Sequence, residues 1–161
     1  MADKEMIEEK IGEAIGLEKA AQKAVEELDS RGLLKSEHLK KLSKMREEAG
    51  DQEEEMQKLV QELAESDGLD PSSIEEKAEE TSEKASKIME TYLGEDPDTH
   101  EALEFLCLAE GGEVTHYEVL TAIAKDVKNK KFGTKVRAIL KEEKRHLDIC
   151  TKLAKANAGS E

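Results

Sequence analysis

Residues 106–127 decide the fold: Leu106-Cys-Leu-Ala-Glu-Gly-Gly-Glu-Val-Thr-His-Tyr-Glu-Val-Leu-Thr-Ala-Ile-Ala-Lys-Asp-Val127. Leu106, Ala109, Leu120, Ile123 and Val127 fall at alternating steps of three and four, and Glu113 and His116 occupy the intervening steps. This spacing lays one stripe of a helix against its neighbours in a bundle.

The same rhythm recurs along the chain. It runs through Ile7, Ile11, Ala14, Glu18, Ala21, Val25 and Leu28, then through Leu42, Met45, Ala49, Gln52, Met56, Leu59 and Leu63. Ile74, Ala78, Thr81, Ala85, Ile88 and Tyr92 carry a shorter seam, and Phe132, Val136, Ile139, Glu143, His146, Cys150 and Leu153 a last one. Punctuation separates the seams. Gly32 and Gly68 suit helix ends, and Asp70-Pro71 and Asp96-Pro97 suit helix starts, with Asp as cap and Pro in the first turn. Helices are expected at about 4–29, 36–66, 71–93, 97–129 and 131–156. They form a single domain over 1–157, with a disordered tail at 158–161. Four long helices, with a shorter one in the connection between the second and third, predict an all-α, antiparallel four-helix bundle with one crossover.

Composition narrows the function. The chain has 161 residues, and 25 Lys and Arg against 39 Asp and Glu give a net charge of −14. Such a chain repels phosphate backbones and anionic membrane surfaces, so neither nucleic acid nor membrane is an expected partner. Aromatic residues make up 2% and Trp is absent, which argues against sandwiches and barrels. No apolar run approaches the ~20 residues of a membrane span. The charged start, Met1-Ala-Asp-Lys-Glu5, lacks the apolar region of a signal peptide. Two cysteines, Cys107 and Cys150, make no disulfide framework; they read as buried thiols or as a redox pair. A cytoplasmic setting is expected.

The informative residues are those that break the seams. A buried charge costs several kcal/mol unless it is paired or bound to a metal. Yet Glu18, Gln52, Glu113 with His116, and Glu143 with His146 each interrupt a long helix once, near its middle. Glu113-Val-Thr-His116 and Glu143-Lys-Arg-His146 are both Glu-x-x-His, which puts carboxylate and imidazole on one helix face. Two such pairs, with one Glu from each of two further helices, are the donor set of di-iron and di-manganese bundle proteins. Glu18 is the candidate on the first helix and Glu48, beside the seam, on the second, where Asp51 and Gln52 are alternatives. At 1.5 Å per residue, Glu18, Glu48 and both pairs lie ~20–25 Å from their turns, at one level of the bundle. A metal-free reading also stands, in which a Glu–His network rigidifies a dimerisation or adaptor module. His38 and His100, near helix starts, are expected at the surface, and Tyr117 in packing. Gly111-Gly112 costs roughly 2 kcal/mol of helix propensity, consistent with a kink, a π-bulge, close packing or a plain break.

The run Glu113-Val-Thr-His-Tyr-Glu118, with Leu140-Lys-Glu-Glu-Lys144, Gly16-Leu-Glu-Lys19 and Glu47-Glu48 followed by Gln52, resembles the YciF-like branch of the ferritin-like superfamily. Thr115 stands where that branch commonly has an acid, and the second helix lacks the Glu-x-x-His of rubrerythrins and bacterioferritins. The resemblance implies a ferritin-like bundle, often a homodimer, with a candidate di-iron centre. By motif position it points to Glu18, Glu48, Glu113, His116 and Glu143. The expected site is therefore Glu18, Glu48, Glu113, His116, Glu143 and His146, holding two iron ions, or manganese, with oxygen or peroxide as small-molecule substrate.

Overall fold

The structure is a computed structural model that describes residues 2–159. Among these residues it contains five α-helices and no strand: α1 (Lys4–Ser30), α2 (Ser36–Ser66), α3 (Pro71–Leu93), α4 (Thr99–Ile123) and α5 (Lys131–Gly159). Asp3, Asp70 and Asp98 cap α1, α3 and α4, their carboxylates accepting from the backbone N–H groups of Met6, Ser72 and Glu101. Each cap supplies an acceptor that the first helical turn lacks.

Two boundaries differ from expectation. The helix expected over 97–129 starts at Thr99 and stops at Ile123, followed by a 3-10 turn over Ala124–Asp126. Asp98, two residues past Asp96, supplies the cap. Asp67 terminates the pairing further on, taking the N–H groups of Lys128 and Asn129 at 2.6 and 3.2 Å and so tying the α4–α5 turn to the end of α2. The last helix, expected to end at 156 before a frayed tail, runs to Gly159. Asn157 is buried there, its side chain bonded to His100 Nδ1 (2.9 Å) and to Lys35 Nζ (3.3 Å). The remainder of the expected tail, Ser160 and Glu161, lies outside the described residues.

The apolar core falls into two clusters, one at each end of the molecule. One joins Ile11 and Ile15 of α1, Met56 and Leu63 of α2, Leu120 of α4 and Val136 of α5. The other joins Val25 and Leu28 of α1, Leu42 of α2, Leu103 of α4 and Leu153 of α5. The pairing of early with late residues makes α1 antiparallel to α2 and α4 antiparallel to α5. α3 spans both clusters, through Ile74 and Ala78 at one end and Met89 and Leu93 at the other. It carries the chain from one end of the molecule back to the other.

α3 packs most closely on α1, and two glycines make this approach possible. A Cβ on Gly12 would stand 2.8 Å from the Ile74 carbonyl oxygen, and one on Gly16 would stand 2.5 Å from that of Ala78. By contrast, a Cβ on Gly111 or Gly112 would meet nothing within 4 Å, and α4 continues unbroken through both. The double glycine is therefore neither a break nor a close helix contact.

These contrasts fix opposite outcomes. Gly16→Ala destabilises the protein by about 1–3 kcal/mol through overpacking against α3. Gly111→Ala stabilises it by up to about 1 kcal/mol through helix propensity. Urea unfolding of the two variants measures both, and shifts of the same sign contradict the packing described.

Candidate metal centre

Between the two apolar clusters lies a layer of polar side chains. α1 contributes Glu18, α2 contributes Gln52, α4 contributes Glu110, Glu113 and Tyr117, and α5 contributes Glu143 and His146. All are buried: Glu18 and Tyr117 are fully shielded, and Glu143 and His146 are each 1% exposed. On α4 the steps 103, 106, 110, 113, 117, 120 form the inward stripe. On α5 Glu143 and His146 are neighbours one turn apart, as their spacing predicts.

The donor atoms converge. One carboxylate oxygen each from Glu18, Glu113 and Glu143 lie within 4.8 Å of one another, and so do oxygens of Glu110 and Glu143 with a ring nitrogen of His146. Glu143 belongs to both groups. His146 Nδ1 stands 3.7 Å from Glu143 Oε2 and 4.0 Å from Glu110 Oε2. On the far side of the ring, Nε2 lies 3.1 Å from Glu48 Oε1, and Arg145 Nη2 donates to Glu48 Oε2 at 2.6 Å. Glu48 thus holds the imidazole with Nδ1 facing the buried carboxylates. This is the arrangement in which an outer carboxylate orients a metal-binding histidine. Glu48 and Glu142 also form a third, more exposed group with His146.

Electrostatics sharpen the picture. Both carboxylate oxygens of Glu18, Glu113 and Glu143, and one of Glu110, are buried without a hydrogen-bond partner, as are the amide of Gln52 and the hydroxyl of Tyr117. Burial first, and then the neighbouring carboxylates, push Glu18, Glu110 and Glu113 well above the usual carboxylate range. Tyr117 is raised in the same way, by burial and by the charges of Glu18, Glu143 and Glu113. Glu143 moves the other way. Burial would raise it, but the nearby His146 imidazole, with the Glu110 and Glu18 carboxyl groups, holds it low. His146 is lowered by burial and raised more strongly by Glu143 and Glu48, with a net rise.

Such a cluster has two ways to shed its repulsion: retain protons, or bind cations. The donors suit the second. Carboxylate oxygen and imidazole are ligands for divalent iron, manganese or zinc. Four carboxylates carry −4 when ionised, and two divalent cations carry +4. The unpartnered oxygens are the observation that fits this group: a buried acceptor without a donor is costly unless something else occupies its lone pairs.

Of the six residues expected from sequence, Glu18, Glu113, Glu143 and His146 meet in the buried layer, and Glu48 stands behind His146. His116 does not join them. Its Nδ1 lies 2.9 Å from the Gly112 carbonyl oxygen and its Nε2 3.2 Å from Glu13 Oε2, at the edge of α1. Glu110 takes the place expected for it, and Tyr117, read as packing, faces the carboxylates. The two registers share positions 106, 113 and 120, so periodicity alone could not choose between 109/116 and 110/117. The burial of a tyrosine in preference to a histidine was the available signal. On α2, Gln52 is buried as the seam predicts, while Asp51 is exposed. His38, expected at the surface, is buried, its Nδ1 accepting from the Lys35 backbone N–H at 3.2 Å. His100 is half-buried against Asn157. Both cysteines are free, Cys150 buried and Cys107 half-buried, and burial raises both thiols.

Compared with protein-family models, curated proteins and solved structures, the chain finds no match. The functional reading rests on the geometry above.

The titration has a definite sign. Glu18, Glu110 and Glu113 are raised on folding, so their contribution is complete below the ordinary value of 4.5 and is lost as pH rises toward their folded values. His146, also raised, loses its contribution above 6.5. Glu143 and Glu48, held low, contribute above 4.5 and lose it only on acidification. The metal-free protein therefore melts at lower temperature as pH is raised from about 5 to about 8. A Glu18→Gln/Glu113→Gln variant shows a shallower slope. An unchanged slope removes these carboxylates as its source.

Proposed function

We propose that the chain is a ferritin-like, metal-binding bundle protein that holds two iron ions, or manganese in their place, and reduces oxygen or peroxide as a ferroxidase or peroxide-scavenging stress protein. One observation carries this reading: four carboxylates from three helices converge in the core, with almost all their oxygens lacking a donor. A metal-free Glu–His network offsets this cost, roughly 1–3 kcal/mol for each buried unsatisfied group, only as far as retained protons pair the oxygens.

The residues divide into roles. Glu143, common to both groups, is the candidate bridge. Glu18 and Glu113 would hold one ion, and Glu110 and His146 the other. Glu48 orients His146 and is itself held ionised by Arg145 and His146, against the opposing effect of burial. Tyr117 keeps its proton beside the carboxylates and can offer a hydrogen bond to an anionic ligand. The apolar clusters above and below exclude water and keep the ligands in place. Bound there, a ferrous pair would supply two electrons for the reduction of peroxide to water or of oxygen to peroxide. The crossover through α3, the pairing of the long helices and the donor set are consistent with the ferritin-like class.

Protein purified without chelator is expected to carry up to two iron or manganese ions per chain, by elemental analysis. Glu143→Ala/His146→Ala loses both, Glu110→Gln loses about one, and Glu48→Gln weakens binding about 10–100-fold. His116→Ala leaves the metal content unchanged. Stripping the metal lowers the melting temperature, by the equivalent of ~2.7 kcal/mol where free metal had been at 100 times its dissociation constant. Absence of iron and manganese, or equal metal in the Glu143→Ala/His146→Ala variant, refutes the proposal.

A further inference from the structure

α1, α3 and α4 leave a cavity of about 330 Å3 between them, open on one side. That volume falls at the low end of the ~300–1,000 Å3 typical of small-molecule sites. Its walls are apolar: Leu17, Ala21 and Ala24 of α1, Ile88 and Met89 of α3, and Phe105 of α4. Gly112, Glu113 and His116 of α4 also line it. The cavity therefore reaches the same Glu113 whose unpartnered oxygens belong to the carboxylate layer.

Gly112 gives the cavity its meaning. It sits in an unbroken helix, its φ is not positive, and a Cβ there would touch nothing within 4 Å. No turn and no close helix approach needs a glycine at this position, which costs about 1 kcal/mol of helix propensity against alanine. What the missing side chain leaves is open volume, directly beside Glu113.

A recess beside the cavity carries two lysines. Ile88, 51% exposed, lines both the cavity and a shallow neighbouring recess formed with Lys84, Lys87, Thr91 and Tyr92. Lys84 and Lys87 are exposed, and the structure records no ion pair for either, although the chain carries −14 overall. Leu108, also on the cavity, is 55% exposed. An apolar chamber beside a recess that carries two exposed lysines suits an apolar chain with an anionic head group.

We propose that this cavity binds a single-chain anionic amphiphile, an alkyl carboxylate, with the chain end toward Glu113 and the head group at Lys84 and Lys87. As a ligand site it stands without the metal. Its role as the seat of a substrate for the metal centre rests on the reading given above. His116 lines this chamber and does not join the buried donors.

The test is calorimetric titration with dodecanoate below its micelle concentration, on the full chain, both metal-free and metal-loaded. Saturable binding at one per chain is expected in both states. Gly112→Leu, which fills the chamber and favours the helix, weakens binding about tenfold or more. Ala21→Phe, filling it from α1, does the same, and circular dichroism verifies that each variant is folded. Lys84→Glu/Lys87→Glu weakens dodecanoate about two- to fivefold while leaving dodecanol unchanged. Absence of saturable binding, or binding indifferent to Gly112→Leu, overturns the proposal. So does a dimer that Leu108→Glu converts to monomers without dodecanoate binding, since that assigns the face to a second copy. A chain that binds dodecanoate but no metal refutes the metal reading alone, and a chain that binds metal but no dodecanoate refutes this one alone.

Discussion

Four glutamates facing one another in the interior are the constraint around which the molecule is arranged. Like charges a few ångströms apart in a poorly hydrated place repel strongly, and removing each from water is itself costly. A chain tolerates this only where protons or cations neutralise the group. The rest of the architecture keeps the four together. Ile11, Ile15, Met56, Leu63 and Val136 form an apolar plug on one side, and Val25, Leu28, Leu42, Leu103 and Leu153 form one on the other. The polar layer interrupts the core without opening it to solvent, and the long helices hold its height on both sides.

Rigidity of that layer depends on contacts outside it. Glu48 is gripped by Arg145 and sets the tilt of the His146 ring. Asp67 joins the α2 end to the α4–α5 turn, and Asn157 links the end of α5 to the start of α4 through His100. α3 is held against α1 because Gly12 and Gly16 present bare backbone to Ile74 and Ala78. Glycine thus has two opposite uses within one chain: at 12 and 16 it lets helices touch, whereas at 112 it keeps volume empty.

The long-range plan was legible because it follows from short-range physics. Helical periodicity, Asp caps and Gly stops marked five helices within a few residues of where they lie. The start of α4 moved by a local choice, Asp98 capping in place of Asp96; the other shifted boundaries were moved by tertiary bonds. Asn157 prolongs α5 because its side chain finds partners across the molecule, and Asp67 holds the chain at Lys128 and Asn129 in a turn that propensity had read as helix. The burial of His38 goes with a local bond from the Lys35 backbone N–H and with packing that no single residue announces.

Within the candidate site the division is equally physical. Glu18, Glu113, Glu143 and His146 could be read from the chain, because a charged residue on an apolar seam contradicts solubility and so calls for a partner. His116 and Glu110 could not be told apart, because a stripe of alternating threes and fours is compatible with two registers that share every seventh residue. Only the packing of α4 between α1 and α5 chose the one that buries Glu110 and Tyr117. The outward role of Glu48 and the chamber beside Gly112 were likewise beyond the sequence, since each exists only between helices distant along the chain. By itself the sequence determined the helices, their order and the presence of acids where acids should not be. The tertiary structure decided which of those acids meet and what space is left beside them, because a helix rotates as a rigid unit and its neighbours set its final angle.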